Sequence, residues 1–138
     1  MDIKLRFTGE PYEIERHGCW IDLRATKDYA YAAGQQIKVG LGVNIAVPEG
    51  YEGMLAARSS TFEKHGLIQT NAVGIIEPKY SGNDDEWIFS GYALQDGVIK
   101  AGDRICQFRV HKAMDEVSFN IVDDMGNDNR GGFGSTGQ

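Results

Sequence analysis

Apolar and polar residues alternate along most of this 138-residue chain. Ile3, Leu5 and Phe7 alternate with Lys4 and Arg6, the period-two pattern of a half-buried strand. In the run 18–25, Cys19, Ile21, Leu23 and Ala25 fall on one face, and Trp20, Asp22 and Arg24 on the other. Ile37, Val39, Leu41, Val43, Ile45 and Val47 share one parity across Gly40 and Gly42, which predicts a long strand or a strand pair ending at Pro48. The same alternation predicts strands within 51–57, 67–73, 87–94, 104–110 and 117–122. Glycines punctuate these runs throughout. Short strands with regular turn signals read as a sandwich or barrel, so the expected fold is all-β.

Three stretches depart from plain alternation. Ser60-Thr61-Phe62-Glu63 has the form of a capping box, with Ser60 as N-cap and Glu63 reaching back to it. One short helix over Thr61 to His65 would stop at Gly66, with Arg58 and Ser59 beside its start as anion-binding groups. The alternative is a capped surface helix with an incidental arginine. Asn71–Gly82 reads as a β-hairpin, since Pro78 pushes Glu77 toward extended geometry. An opening beside Gly74 would offer backbone groups to a flat heterocycle, with Tyr80 packing on a sugar and Glu77 holding a water. An ordinary hairpin with a surface carboxylate is the plainer alternative. The end, Asn129-Arg-Gly-Gly-Phe-Gly-Ser-Thr-Gly137, lacks the lysine and following helix of a Walker loop. It is expected to be a flexible glycine-rich C-terminal arm, in which Arg130 suits phosphate, Phe133 stacking, and Ser135 and Thr136 hydrogen bonding.

The length fits one domain; residues 1–128 are taken as its body and 129–138 as its arm. A formal net charge of -6 argues against a nucleic-acid-binding surface, and an anionic substrate would need a divalent cation and local arginines. Cys19 and Cys106 lack metal or redox spacing and are read as reduced thiols. No apolar run reaches membrane-spanning length and the start is no signal peptide, so a cytoplasmic protein with no membrane partner is expected. Asp84-Asp85-Glu86 is read as a solvated hairpin loop. His17, His65 and His111 lack metal spacing and receive no role.

Five segments in order resemble the five motifs of the trimeric dUTPase family, in the form typical of Gram-positive bacteria and their phages. They are Cys19-Trp-Ile-Asp-Leu-Arg-Ala25, Ala57-Arg-Ser-Ser60, Asn71–Gly82, Gly102-Asp-Arg-Ile-Cys-Gln-Phe108 and Arg130-Gly-Gly-Phe-Gly-Ser-Thr-Gly137. The resemblance implies a jelly-roll-like dUTPase β-barrel and a homotrimer with active sites shared between subunits. It implies hydrolysis of dUTP to dUMP and pyrophosphate by water attack on the α-phosphate, which keeps uracil out of DNA and supplies dUMP. Gly74, with Asn71 and Ile76, would bind uracil through the backbone, and Tyr80 would pack under the deoxyribose and exclude a 2′-hydroxyl. Arg58, Ser59, Ser60 and Gln107 would meet the phosphates. Arg130 would meet the γ-phosphate, Phe133 with Gly134 would cover the base, and Ser135 and Thr136 would hold the terminal phosphates. Asp22 would organise the phosphate side. Mg2+ would ride on the triphosphate rather than on direct protein ligands, with Asp22 meeting it through water.

One residue departs from the family pattern. The water-orienting carboxylate of the third motif is an aspartate in the family and Glu77 here. The extra methylene moves the carboxylate by ~1.5 Å, and a shift of that size can lower turnover on the order of a hundredfold. Two other readings stay open. One is a dCTP deaminase, or a bifunctional deaminase–dUTPase, of the same superfamily, which also uses a glutamate near this motif. The other is a catalytically weak nucleotide-binding regulatory protein.

Overall fold

A computed structural model describes residues 1–132 and Gly134. Twelve strands and one helix follow in order: β1 Leu5–Phe7, β2 Glu15–His17, β3 Trp20–Arg24, β4 Tyr29–Tyr31, β5 Gln36–Gly40, β6 Val43–Ile45, β7 Tyr51–Ala57, α1 Thr61–His65, β8 Leu67–Gln69, β9 Gly74–Ile76, β10 Ile88–Ala93, β11 Gly97–Ile99 and β12 Arg104–Lys112. The widest sheet runs β2-β3-β12-β7-β9, and a second runs β5-β10-β8. The pairs β1-β6 and β11-β4 complete a jelly-roll-like, wholly antiparallel β fold.

The inward parity of each run makes the core. Leu23, Val39, Leu41, Val43, Leu55, Phe89, Ile105 and Phe108 are buried, each contributing about 1.5–3 kcal/mol by leaving water. Trp87 meets Phe108 edge-on at 5.1 Å between ring centroids, the arrangement favoured by aromatic quadrupoles. The 37–47 run resolves as a strand pair, because Gly42 takes φ 69° and breaks it between two sheets.

Several expectations are corrected. Residues 117–122 form no strand; Phe119 and Ile121 are 87% and 93% exposed. Alternation makes a strand only where it pairs with another, and both edges of β12, the strand just before this run, are occupied by β3 and β7. Within 71–82, β9 pairs with β7 rather than with a following strand, so the stretch is not a self-contained hairpin. Cys19 is exposed despite its inward parity, because it lies in the turn before β3. Strands β2, β4 and β11 escaped the pattern: Glu15-Arg16-His17 has no apolar residue, and the other two are three residues long. Helix α1 and its stop are as expected, with Gly66 left-handed and its N–H bonded to the Phe62 carbonyl. The capping box is not formed. Ser60 makes no side-chain cap bond, and Thr61 instead accepts the Arg58 N–H at 2.9 Å while donating to the Ile105 carbonyl at 2.9 Å.

Candidate active site

Strand register builds the first half of the site. Glu15 lies opposite Asp22, Asp22 opposite Gln107, and Gln107 opposite Ala56. Four neighbouring strands therefore present one row across the sheet, and Arg58 follows the end of β7 beside it. Asp22 is only 4% exposed, and a buried carboxylate needs cations. Arg58 Nε reaches its Oδ1 at 3.2 Å; Arg104 Nη1 and His17 Nε2 reach its Oδ2 at 3.5 and 3.4 Å. Arg58 is held further by Ser60 Oγ at 3.3 Å and the Arg104 carbonyl at 3.4 Å. Gln107 donates its amide to the Ala57 carbonyl at 3.1 Å. Ser59 lies beside Arg58 in the turn before α1.

A second layer supports this ledge. Glu15 accepts from Arg24 at 2.5 Å and from Arg104 at 3.4 Å. The Arg24 guanidinium, ahead of all other influences, holds the Glu15 carboxyl below its usual range. Arg24, Arg58, Lys64, His65 and Arg104 line a groove of about 250 Å³ with Asp103 as its one carboxylate. Beneath the row, Cys106 is buried, and burial pushes its thiol well above the usual range. Both cysteines are free.

The second half is a cavity of about 460 Å³ lined by Leu55, Asn71, Gly74, Ile75, Ile76, Glu77, Tyr80, Glu86, Trp87 and Ile88. No cation lines it. Gly74 is buried against β7, where a Cβ would stand 3.3 Å from the Leu55 Cβ, so glycine lets the two strands pack without displacing Leu55. The turn before it holds Ala72 at φ 58°, an uncommon conformation for a residue with a Cβ. Tyr80 closes the far side; its N–H bonds the Glu77 carbonyl at 3.0 Å and its hydroxyl donates to the Glu86 carbonyl at 2.7 Å. Burial, then Asp85 and Glu86, raise the Tyr80 phenol above its ordinary value. Glu77 is exposed at the cavity edge.

The sequence-derived residues therefore fall into two groups. Asp22, Arg58, Ser60 and Gln107 gather on the ledge, with Ser59 adjoining; Asn71, Gly74, Ile76, Glu77 and Tyr80 gather at the cavity. Arg130 and Gly134 are exposed, while Phe133, Ser135 and Thr136 lie outside the described residues. Sequence reasoning missed Glu15, His17 and Arg24, whose signal was the Gly18 turn that folds β2 onto β3. It also read Asp85 and Glu86 as merely solvated, whereas Asp85 Oδ2 accepts the Gly82 N–H at 2.8 Å and Glu86 Oε2 the Gly42 N–H at 3.3 Å. Among the described residues, no group of three or more His, Cys, Asp or Glu is placed to hold a metal ion. Nor, among them, is any helix long and apolar enough to cross a membrane.

A jelly-roll-like β fold carries two sites, a cavity without cations and an arginine-rich ledge. The dUTPase family model matches residues 19–137, so the chain belongs to the dUTPase family. It is 48% identical, over 99% of both chains, to the SPbeta prophage-derived deoxyuridine 5'-triphosphate nucleotidohydrolase YosS of Bacillus subtilis (strain 168). The crystal structure of the dUTPase from Streptococcus mutans matches with a TM-score of 0.74 at 25% identity, over 84% of this chain and 98% of that one. A point mutant of the dUTPase from phage phi11 of S. aureus, in which a structural Mg(II) ion is coordinated, shares the fold with a TM-score of 0.74 at 18% identity, over 90% of this chain and 98% of that one.

Proposed function

We propose that the chain hydrolyses dUTP to dUMP and pyrophosphate. The observation that carries this reading is the division of charge: a cavity without cations suits a neutral base and sugar, and an arginine-rich ledge suits a triphosphate. Asn71, Gly74 and Ile76 receive uracil, and Tyr80 packs under the deoxyribose. Arg58, Ser59, Ser60 and Gln107 receive the phosphates, with Asp22 holding Arg58 in place. Residues 129–138 act as a closing arm, with Arg130, Ser135 and Thr136 toward the phosphates and Phe133 and Gly134 over the base.

No covalent intermediate is needed. Water attacks the α-phosphorus, the bond to the bridging oxygen breaks, and pyrophosphate leaves; the rate comes from alignment and charge stabilisation. Glu77 orients the water. Among the described residues its side chain makes no hydrogen bond or ion pair, so it is free to turn toward a bound nucleotide. When bound, Mg2+ would neutralise charge on the triphosphate, and Asp22 would meet it through water rather than as a direct ligand. Membership of the dUTPase family supports a homotrimer in which different subunits complete each site.

Pyrophosphate release from dUTP with Mg2+ tests this reading. The wild-type chain is expected to turn over, Glu77→Ala to lose about a hundredfold, and Glu77→Asp to equal or exceed wild type. Ammonia release from dCTP without pyrophosphate release from dUTP would overturn it in favour of a deaminase.

A further inference from the structure

The acidic run Asp84-Asp85-Glu86 has no part in the chemistry above, yet it is built into the wall of the Tyr80 cavity. Tyr80 donates its hydroxyl to the Glu86 carbonyl at 2.7 Å, and the Glu86 carboxylate accepts the Gly42 N–H at 3.3 Å. On one side, Asp85 ties back to Gly82 through its carboxylate at 2.8 Å and its N–H at 3.1 Å. On the other, Trp87 donates to the Val43 carbonyl at 2.9 Å and accepts from Leu41 at 3.0 Å. Segment 80–87 is thus closed on itself and stitched to the corner 40–43.

The corner meets this carboxylate at Gly42, whose N–H it accepts, and at Gly40. Gly42 takes φ 69°, and a Cβ on Gly40 would run into Glu86 Oε2. Gly40 is itself fixed by its N–H bond to the Tyr29 hydroxyl at 2.9 Å. Glu86 is half-buried and lines the cavity together with Tyr80.

We propose that Glu86 is a positioning residue for sugar discrimination. Its carboxylate, anchored on the Gly40–Gly42 corner, fixes the main-chain oxygen that holds the Tyr80 hydroxyl. That bond sets how closely the Tyr80 ring approaches the sugar. A ring held by that bond leaves no room for a 2′-hydroxyl; a ring released from it can draw back and admit one. The inference rests on the reading of this cavity as the nucleoside end of the site.

The test compares kcat/KM for dUTP and UTP, and affinities for dUMP and UMP by calorimetry, in folded variants checked by melting temperature. Glu86→Ala is expected to lower the deoxy-over-ribo ratio about tenfold, within the range that a single pocket contact commands. Glu86→Gln, whose amide oxygen still accepts from Gly42, restores it. Gly40→Ala lowers the ratio in the wild-type background and has no further effect in the Glu86→Ala background, because the obstructing carboxylate is gone. A purely structural role would not produce that non-additivity. An unchanged ratio in Glu86→Ala, or in Gly40→Ala should the former not fold, overturns the proposal. Failure of wild type to hydrolyse dUTP overturns the proposed function instead, and the dUMP-to-UMP affinity ratio still decides the role of Glu86.

Discussion

The ledge and the cavity lie at two stretches of one strand and are built on opposite principles. β7 reaches the cavity through Leu55 and ends at Ala57, one residue before Arg58 on the ledge. The ledge is a mesh of ions around one buried carboxylate, each partner fixed by another. The cavity is shaped by backbone: a glycine pressed against a strand and a tyrosine held by a carbonyl. Ions in a mesh respond to the loss of a partner, to acid and to salt, whereas a wall made of backbone responds to single atoms of shape. The difference teaches that binding of charge and recognition of base can be damaged separately.

The sharpest way to break the comparison is Arg58→Ala. It is expected to lower kcat/KM by roughly a thousandfold and, by stripping a partner from buried Asp22, to cost about 3 kcal/mol of stability. Affinity for uncharged deoxyuridine should be retained. Steady-state kinetics, urea unfolding and calorimetry read the three effects, and a parallel loss of deoxyuridine binding would merge the two regions into one.

Deletion of 130–138 comes next. Turnover is expected to fall roughly a hundredfold. Unchanged turnover would remove the closing arm from the mechanism.

Acid separates the regions more gently. The Glu15 carboxyl is held below its ordinary value of 4.5, first by the Arg24 hydrogen bond. A depressed folded-state pKa stabilises the fold above the unfolded value, and that contribution is lost as pH falls through the folded value. The stability gap between wild type and Glu15→Gln, measured by urea unfolding, should therefore be full at pH 7 and close as the pH drops below the carboxylate range. The smallest effect belongs to the turn that precedes Gly74. Ala72→Gly relieves a positive φ and should add about 0.5–1 kcal/mol without altering turnover beyond twofold. A loss of stability would show that the turn, not the residue, carries the strain.

Much of this was legible in the chain because period-two alternation reports burial directly: Leu23, Val39, Leu55 and Phe89 declare their faces. Arg58, Tyr80 and Gln107 were legible as chemistry because ordered motifs carry them. What escaped depended on long-range register. Glu15 reads as a surface charge until the Gly18 turn sets it opposite Asp22. Glu86 reads as solvated until Gly42, 44 residues away, donates to it. The 117–122 alternation misled for the converse reason: a correct local pattern pairs with no strand among the described residues.

Cys106 is sealed under the ledge with its thiol kept protonated, and Cys19 stands exposed at the β2–β3 turn. Thiol reagents therefore meet one reactive handle on the native protein, three residues from Asp22. A single maleimide dye placed there, without any mutation, would make the charged half of the molecule visible to fluorescence while leaving the cavity unmarked.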